Sequence, residues 1–289
     1  MKQTERPLVS VVLPTLNAEG IIRNCLESIA KQTYTNIEII GVDACSTDNT
    51  ARILEEYGGK VFSFKLSPSM VWGTPYQRNF GGSKAKGKYL YLVDSDMVLP
   101  PDAIEAYVQQ MEEESADSMI IPEISYGEGF WAKCKILERS CYLLGDSFIE
   151  ASRFYRKSVW DQLGGWDGRM GAHDDWDFNI RLKEGGYKVT RSNKAIYHNE
   201  GKLTLSKCIK KKFTYGKSAR AYLKKHGRNK QIYVRQFNVL RPIYFKNWWQ
   251  LIKDPIHLAG FAFMKTLEAA AFFIGLLRSA ISKTEAVPK

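Results

Sequence analysis

The chain has 289 residues, 44% of them apolar and 25% charged. That is enough for one large domain or two modest ones with real cores, and it excludes wholesale disorder and collagen-like architectures. The net charge of +11 is unevenly placed: residues 201–289 carry 19 Lys/Arg against three acids (Asp254, Glu268, Glu285), a balance of +16, whereas residues 1–200 balance to −5. Five scattered cysteines (Cys25, Cys45, Cys134, Cys141, Cys208) contain no C-x-x-C pair. A disulfide framework and a zinc ribbon are therefore set aside, and reduced thiols in a cytosolic chain are expected.

In chain order, the apolar run from Leu8 to Leu13 is far too short for a signal h-region, and Pro14 ends it; a first buried strand is expected instead of an export signal. Val9–Leu13 and Ile37–Val42 are β-branched runs without internal alternation, the pattern of strands buried on both faces, and Val61–Leu66 and Tyr89–Val93 are expected to be further strands. Ile21, Ile22, Cys25, Leu26 and Ile29 recur at helical spacing. Ser46-Thr47-Asp48 offers N-cap chemistry to a helix through Ala51, Ile53 and Leu54, and Pro101-Asp102 opens another that runs to Glu114. This repetition predicts βαβ units around a largely parallel sheet.

In such sheets ligands bind at the carboxyl ends of the strands. Here those ends are Pro14-Thr15-Leu16-Asn17, Asp43-Ala44-Cys45-Ser46 and Asp94-Ser95-Asp96. No G-x-G-x-x-G follows the first strand and no G-x-x-x-x-G-K-[ST] occurs, which disfavours a dinucleotide site and a Walker-type NTPase. Gly81-Gly82 and Gly164-Gly165 read as turn or helix-packing glycines.

Three constellations carry chemistry. Asp94-Ser95-Asp96 places two carboxylates two residues apart at a strand end, where they can share a hard cation, Mg²⁺ or Mn²⁺, with substrate phosphate oxygens; a surface turn uses the same residues. His173-Asp174-Asp175-Trp176-Asp177 opens a helix with three acids in four residues. They repel one another unless a cation or a hydroxyl substrate uses them, and a carboxylate here can act as general base toward an acceptor hydroxyl. Helix N-capping explains one or two of these acids, but three less well. His198 follows a short expected strand, Ala195-Ile196-Tyr197, and a lone His is more often structural than a ligand.

The order of these motifs resembles the family 2 glycosyltransferases. Val9-Ser10-Val11-Val12-Leu13-Pro14-Thr15-Leu16-Asn17 is similar to the family's opening strand and turn, Cys25–Ile29 with Gln32-Thr33-Tyr34 to its first helix, and Ile37–Asp43 with Ser46-Thr47-Asp48 to its nucleotide-contacting strand. Arg78-Asn79 and Ala85–Tyr89 precede Asp94-Ser95-Asp96, and Gly164–Asp167 and Asp174–Asp177 follow at the acceptor side. The resemblance covers roughly residues 8–200. It implies a GT-A fold, a mixed, mostly parallel sheet flanked by helices, and a donor site of Pro14, Thr15, Asp43, Arg78, Asp94 and Ser95. Asp43 would contact the nucleoside and Asp94 would face the ribose. The resemblance further implies Asp96 as the main metal ligand, His198 as a second, Asp175 as catalytic base and Asp174 as its acidic neighbour. Ala44 and Cys45 stand where the family usually has Asp and Gly, which leaves the donor, UDP or GDP type, open.

Between Lys202 and Lys230 there are eleven Lys/Arg and no acid, interleaved with apolar residues, a basic amphipathic pattern suited to an anionic membrane surface. Pro255 to Leu277 is apolar and aromatic but interrupted by Lys265 and Glu268, so an interfacial helix is expected in preference to a transmembrane one, with Tyr244, Trp248 and Trp249 seeking the interface. A helix packed back on the catalytic domain is the alternative. No nucleic-acid recognition motif is present, and nucleic acid is not an expected partner. The expectation is a catalytic domain over 1–200 and a membrane-associating tail over 201–289, peripheral on the cytosolic face. It would transfer a sugar from a nucleotide sugar, with inversion and with Mn²⁺ or Mg²⁺, to a lipid-linked or glycan acceptor. Two alternatives remain. A sugar-phosphate nucleotidyltransferase normally opens on a glycine-rich basic loop that Pro14–Gly20 lacks, and a non-catalytic sugar-nucleotide or lipid-binding protein would differ by its lack of turnover.

Overall fold

A computed structural model describes residues 6–67, 70, 73–146 and 149–281; the last eight residues of the expected tail lie outside these. The described chain forms β1 (Val9–Thr15), α1 (Glu19–Ala30), β2 (Ile37–Asp43), α2 (Thr50–Glu56), β3 (Lys60–Ser63), α3 (Thr74–Lys84), β4 (Tyr89–Leu92), β5 (Met97–Val98), α4 (Ala103–Glu113) and β6 (Ser118–Ile120). There follow β7 (Glu123–Glu128), α5 (Phe130–Ser140), β8 (Ser152–Arg156), α6 (Lys157–Gln162), α7 (Asp174–Glu184), β9 (Val189–Arg191), β10 (Ile196–Lys202), α8 (Leu205–His226), short turns of helix, and a terminal helix, Pro255–Ile281. It divides into two compact units: residues up to Pro122 with Ser152–Trp166 and Phe178–Tyr197, and Glu123–Ala151 with Asp167–Asp177 and the chain from His198 onward.

The first unit is built on a seven-stranded sheet of order β3-β2-β1-β4-β8-β6-β9. β1 pairs in parallel with β2 and β4, in a register that sets Thr15 opposite Asp43. β8 lies antiparallel between β4 and β6. Val9, Val11, Val12 and Leu13 of β1 and all four residues of β4 are wholly buried, which is why these strands read as unbroken apolar runs. α1 buries Ile22, Cys25, Leu26 and Ile29 against the sheet, one stripe at helical spacing. On α3, Gly81 lies so close to the sheet that a Cβ would meet Val12 Cγ1 at 2.4 Å; the glycine exists for packing. Gly164 and Gly165 have φ of 71° and 69° and make the turn expected of them.

Local expectations shift in three places. The strand expected over Val61–Leu66 is Lys60–Ser63, and the chain leaves the sheet at Phe64. The Asp48 side chain accepts from the Thr50 amide at 3.0 Å, but the N-cap is Asn49, whose side chain makes no capping hydrogen bond, and the helix begins at Thr50. His198 does not follow its strand but sits inside it, because β10 runs on through the polar residues Asn199 and Glu200.

In the second unit β7 pairs with β10, and α8 packs along the terminal helix. Gly216 and Gly275 sit at that crossing. A Cβ on the first would lie 2.0 Å from the Phe272 carbonyl oxygen, and one on the second 2.2 Å from that of Phe213. Lys265 and Glu268 do not break the terminal helix. Lys265 Nζ lies 2.6 Å from Glu138 Oε1 and 3.0 Å from Glu268 Oε2, and Lys135 on α5 pairs with Glu138 at 2.7 Å. Buried charges persist when paired and hydrogen-bonded. Among the described residues this one helix is long and apolar enough to cross a membrane, with 33% of its most apolar stretch buried.

Candidate active site

In the first unit the expected donor residues gather at the carboxyl ends of β1, β2 and β4. The Thr15 hydroxyl donates to Asp43 Oδ1 at 3.0 Å, and the Ser46 amide and hydroxyl donate to the two Asp43 oxygens at 2.8 and 2.5 Å, so Asp43 is fixed at 5% exposure. Gln77 on α3 donates to the carbonyls of Thr15 and Val42 at 3.0 and 2.8 Å, which ties the two strand ends together. Pro14 is the penultimate residue of β1, opposite Val42. The chain leaves β2 with Cys45 at φ 60°, exposed beside Ser63.

At the end of β4, Asp94 accepts from Arg78 and, at 3.1 Å, from Arg153 NH1. The Arg78 guanidinium stacks 4.4 Å over the Trp166 ring, and Asn79 exchanges two hydrogen bonds with the Trp166 backbone. The carboxylate meant to face the ribose is thus gripped by two cations. Arg78 Nε and Trp166 Nε1 are buried N–H groups without an acceptor among the described residues. Asp96, two residues on, is partly buried, with Ser95 between them. Burial, with Asp96 and Asp94 adding, pushes the Cys25 thiol beneath this turn far up, so it serves as packing, not as a nucleophile.

In the second unit the three acids of α7 have separate fates. Asp177 is wholly buried and accepts from Lys225 Nζ at 2.6 Å and His226 Nε2 at 2.7 Å. The expectation that all three acids await a cation or hydroxyl is therefore corrected for Asp177, whose charge is answered by α8. Asp174 is 5% exposed and accepts from the Asp175 amide; Asp175 is half-exposed and accepts from the Trp176 amide at 2.7 Å. Both sit where the helix dipole favours negative charge. His173, at 2% exposure, is pushed down to about 3 by burial and by Lys212, so it is a neutral imidazole. His198 Nδ1 lies 3.0 Å from Glu123 Oε2, with Arg139 3.7 Å from the same oxygen. A carboxylate on one ring nitrogen is the arrangement that orients a ligating imidazole. Arg153, Gln77 and Glu123 are the site residues sequence reasoning missed. Arg153 lies in a five-residue strand with too few apolar positions to signal itself.

Residues 10–166 of this chain match glycosyl transferase family 2, and residues 89–280 match glycosyl transferase family group 2. The chain is 39% identical to the glycosyltransferase GlyG of Streptococcus pneumoniae over 197 residues, 67% of this chain and 62% of that protein, so it spans less than two thirds of that relative. It is 29% identical to a PGL/p-HBAD biosynthesis glycosyltransferase of Mycobacterium bovis over 64% of this chain and 73% of that protein. Its fold is similar to that of a mannosyltransferase from Pyrobaculum calidifontis solved with GDP-Man and Mn²⁺ (TM-score 0.62, 16% identity, 97% of this chain and 89% of that one). It is also similar to TarS of S. aureus solved with UDP (TM-score 0.52, 16% identity, 98% and 94%). The two structural neighbours are GT-A glycosyltransferases, and this chain shares that fold. With more than half its length matched, the chain belongs to glycosyl transferase family 2.

Proposed function

We propose that the chain is an inverting, metal-dependent glycosyltransferase that moves a sugar from a nucleoside-diphosphate donor to an acceptor hydroxyl. The observation that carries this reading is the turn after β4, where Asp94 is held by Arg78 and Arg153 while Asp96, two residues away, is partly buried. The two guanidiniums supply the fixed positive charge that a diphosphate leaving group needs. The donor set suits a hard cation. Asp96 offers one carboxylate, and ions such as Mg²⁺ complete their shell with substrate phosphates and water. Among the described residues no group of three His/Cys/Asp/Glu side chains forms a closed cage. Bound there, Mn²⁺ or Mg²⁺ would neutralise charge developing on the diphosphate; His198, oriented by Glu123, is the second candidate ligand.

Asp43, fixed by Thr15 and Ser46, holds the nucleoside. As the acceptor oxygen bonds to the anomeric carbon, the bond from that carbon to the diphosphate breaks, and Asp175 takes the hydroxyl proton in a single displacement. Relatives by fold solved with UDP or with GDP-Man and Mn²⁺ support a UDP or GDP donor. Lipid-linked or membrane-surface glycan is the acceptor that suits the outer face of the terminal helix. There Ile256, Phe263, Ile274, Leu277 and Ile281 are each more than half exposed, and Lys207, Lys210, Lys211, Lys217 and Arg220 are exposed on α8. Such a surface lies on an anionic bilayer, which makes the enzyme peripheral on the cytosolic face.

Calorimetric titration of UDP- and GDP-sugars with Mn²⁺ tests the donor site. Asp96→Ala is expected to abolish metal-dependent binding and leave the fold intact. Unchanged affinity in the variant removes Asp96 from the site, and failure of every sugar nucleotide to bind the wild type overturns the reading.

A further inference from the structure

The second unit contains an open cleft, with about 70 Å³ of room inside it, that none of the roles above uses. His173 and Trp176 from the start of α7, Lys212 from α8, Arg241, and Lys265 and Phe272 from the terminal helix line it. Its polar groups are unevenly satisfied. Lys265 is shared between Glu138 and Glu268, and Arg241 donates to the Tyr142 hydroxyl at 2.8 Å and the Gln236 carbonyl at 2.9 Å. Lys212 differs. Among the described residues no carboxylate lies within ion-pair distance of it, and its Nζ sits 5.2 Å over the Tyr215 ring. Burial, with Lys265 and Lys135 adding, drives its amine well below the ordinary lysine range. Beside it, His173 Nδ1 is buried with no hydrogen-bond partner among the described residues, the ring stacked on Tyr222 at 5.3 Å.

A partly buried lysine amine with no carboxylate within ion-pair distance among the described residues, held from protonation by its surroundings, and a buried ring nitrogen are expensive unless something outside the protein completes them. The one acid lining the cleft, Glu268, is already engaged by Lys265 and, at 3.8 Å, by Lys135. Arg241 and Lys265, with the Lys212 amine that an incoming anion would protonate, face one engaged carboxylate; this favours a group of more than unit negative charge, and Lys with Arg is the pairing that takes phosphate. The remaining walls, Trp176, Phe237, Phe272 and Phe273, are aromatic and offer contact to an apolar chain.

We propose that this cleft holds the phosphate of an amphiphilic acceptor, a phosphate ester borne on an apolar chain, beside the helical turn that carries Asp174 and Asp175. This rests on the reading of Asp175 as base and extends it to the acceptor: His173 and Trp176 flank the acidic pair in sequence, so a headgroup seated on them adjoins the proposed base. Lys212 and His173 are binding residues in this account.

Calorimetry on the full chain, with farnesyl phosphate, inorganic phosphate and farnesol as probes, tests it. Farnesyl phosphate is expected to bind, and each of the other two to bind at least tenfold more weakly. Lys212→Gln and Ala269→Trp, the first removing the amine that a phosphate would protonate and the second filling the cleft with every ionisable group retained, should each weaken farnesyl phosphate at least tenfold and leave sugar-nucleotide affinity unchanged. Equal binding of inorganic phosphate overturns the lipid assignment, equal binding of farnesol overturns the phosphate, and farnesyl phosphate affinity unmoved in both variants overturns the site. Loss of sugar-nucleotide binding by the wild type would instead strike the donor reading alone.

Discussion

The two units solve the problem of buried charge in opposite ways. At the strand ends of the first, two carboxylates are held by groups from neighbouring strands, turns and a helix: Asp43 by Thr15 and Ser46, Asp94 by Arg78 and Arg153. In the second, ionisable groups are enclosed under helices distant in sequence: Lys135 and Lys265 share Glu138 and Glu268, while Lys212 has no carboxylate within ion-pair distance among the described residues. A parallel sheet presents its strand ends together, so a donor site can be assembled from short segments. A helical unit has no such edge and must bury what it uses. The first arrangement tolerates the loss of a partner by letting water in; the second does not.

The largest effect expected from this contrast is on stability. Glu138, 2% exposed, accepts from Lys135, Tyr142 and Tyr244 and pairs with Lys265. Burial alone would raise its pKa, yet Lys135 and Lys265 hold the carboxyl well below the usual range. Glu138→Ala leaves Lys135 and Lys265 to share Glu268 alone and should lower stability by about 3–5 kcal/mol, measured by urea unfolding. A loss below 1 kcal/mol would show that the cluster is open to water and that the contrast fails.

Next comes chemistry. Asp175→Asn keeps the cap on the Trp176 amide but removes basicity, so transfer should fall at least about a hundredfold, while calorimetric donor affinity stays at the wild-type value. Asp174→Asn should cost less. If the order is reversed, the base is Asp174.

A third prediction concerns pH. His173 is held down to about 3 by burial and Lys212, against about 6.5 in an unfolded chain. Above pH 6.5 both states are neutral there and the residue contributes no pH dependence. As pH falls below 6.5 the unfolded chain takes up the proton first, so stability should drop by up to about 1.4 kcal/mol per pH unit. Unfolding midpoints between pH 7 and 5 should show this slope in the wild type and a shallower one in His173→Gln. Equal slopes would place His173 in contact with water.

The smallest effect is at the surface. Lys210 is exposed on α8, and Lys210→Gln should weaken binding to anionic vesicles by on the order of 1 kcal/mol, a loss that high salt reproduces. Binding indifferent to lipid charge would leave only the apolar face of the terminal helix to account for attachment.

How much of this could be read in the sequence follows from the same contrast. β1, β2 and β4 announce themselves because strands buried on both faces are continuous apolar runs, and the turns that end them carry Thr15, Asp43, Asp94 and Asp96 as expected. β8 and β9 are short and mixed in polarity, so neither they nor Arg153 stand out. In the second unit no local pattern links Asp177 to Lys225 and His226, 48 and 49 residues on, or Glu138 to Lys265. Lysines that look alike in the string, Lys210 and Lys212, face water and a cleft respectively.

The interleaving of the second unit has a practical side. Cutting the chain after residue 200 would strip Lys225 and His226 from the wholly buried Asp177, and Lys265 and Tyr244 from Glu138. The basic segment is thus a wall of the fold and not a detachable tether, and shortened versions of the chain would report on misfolding and insolubility before they reported on where the protein resides. Point substitutions on the outer faces of α8 and the terminal helix are the tools that separate anchoring from architecture.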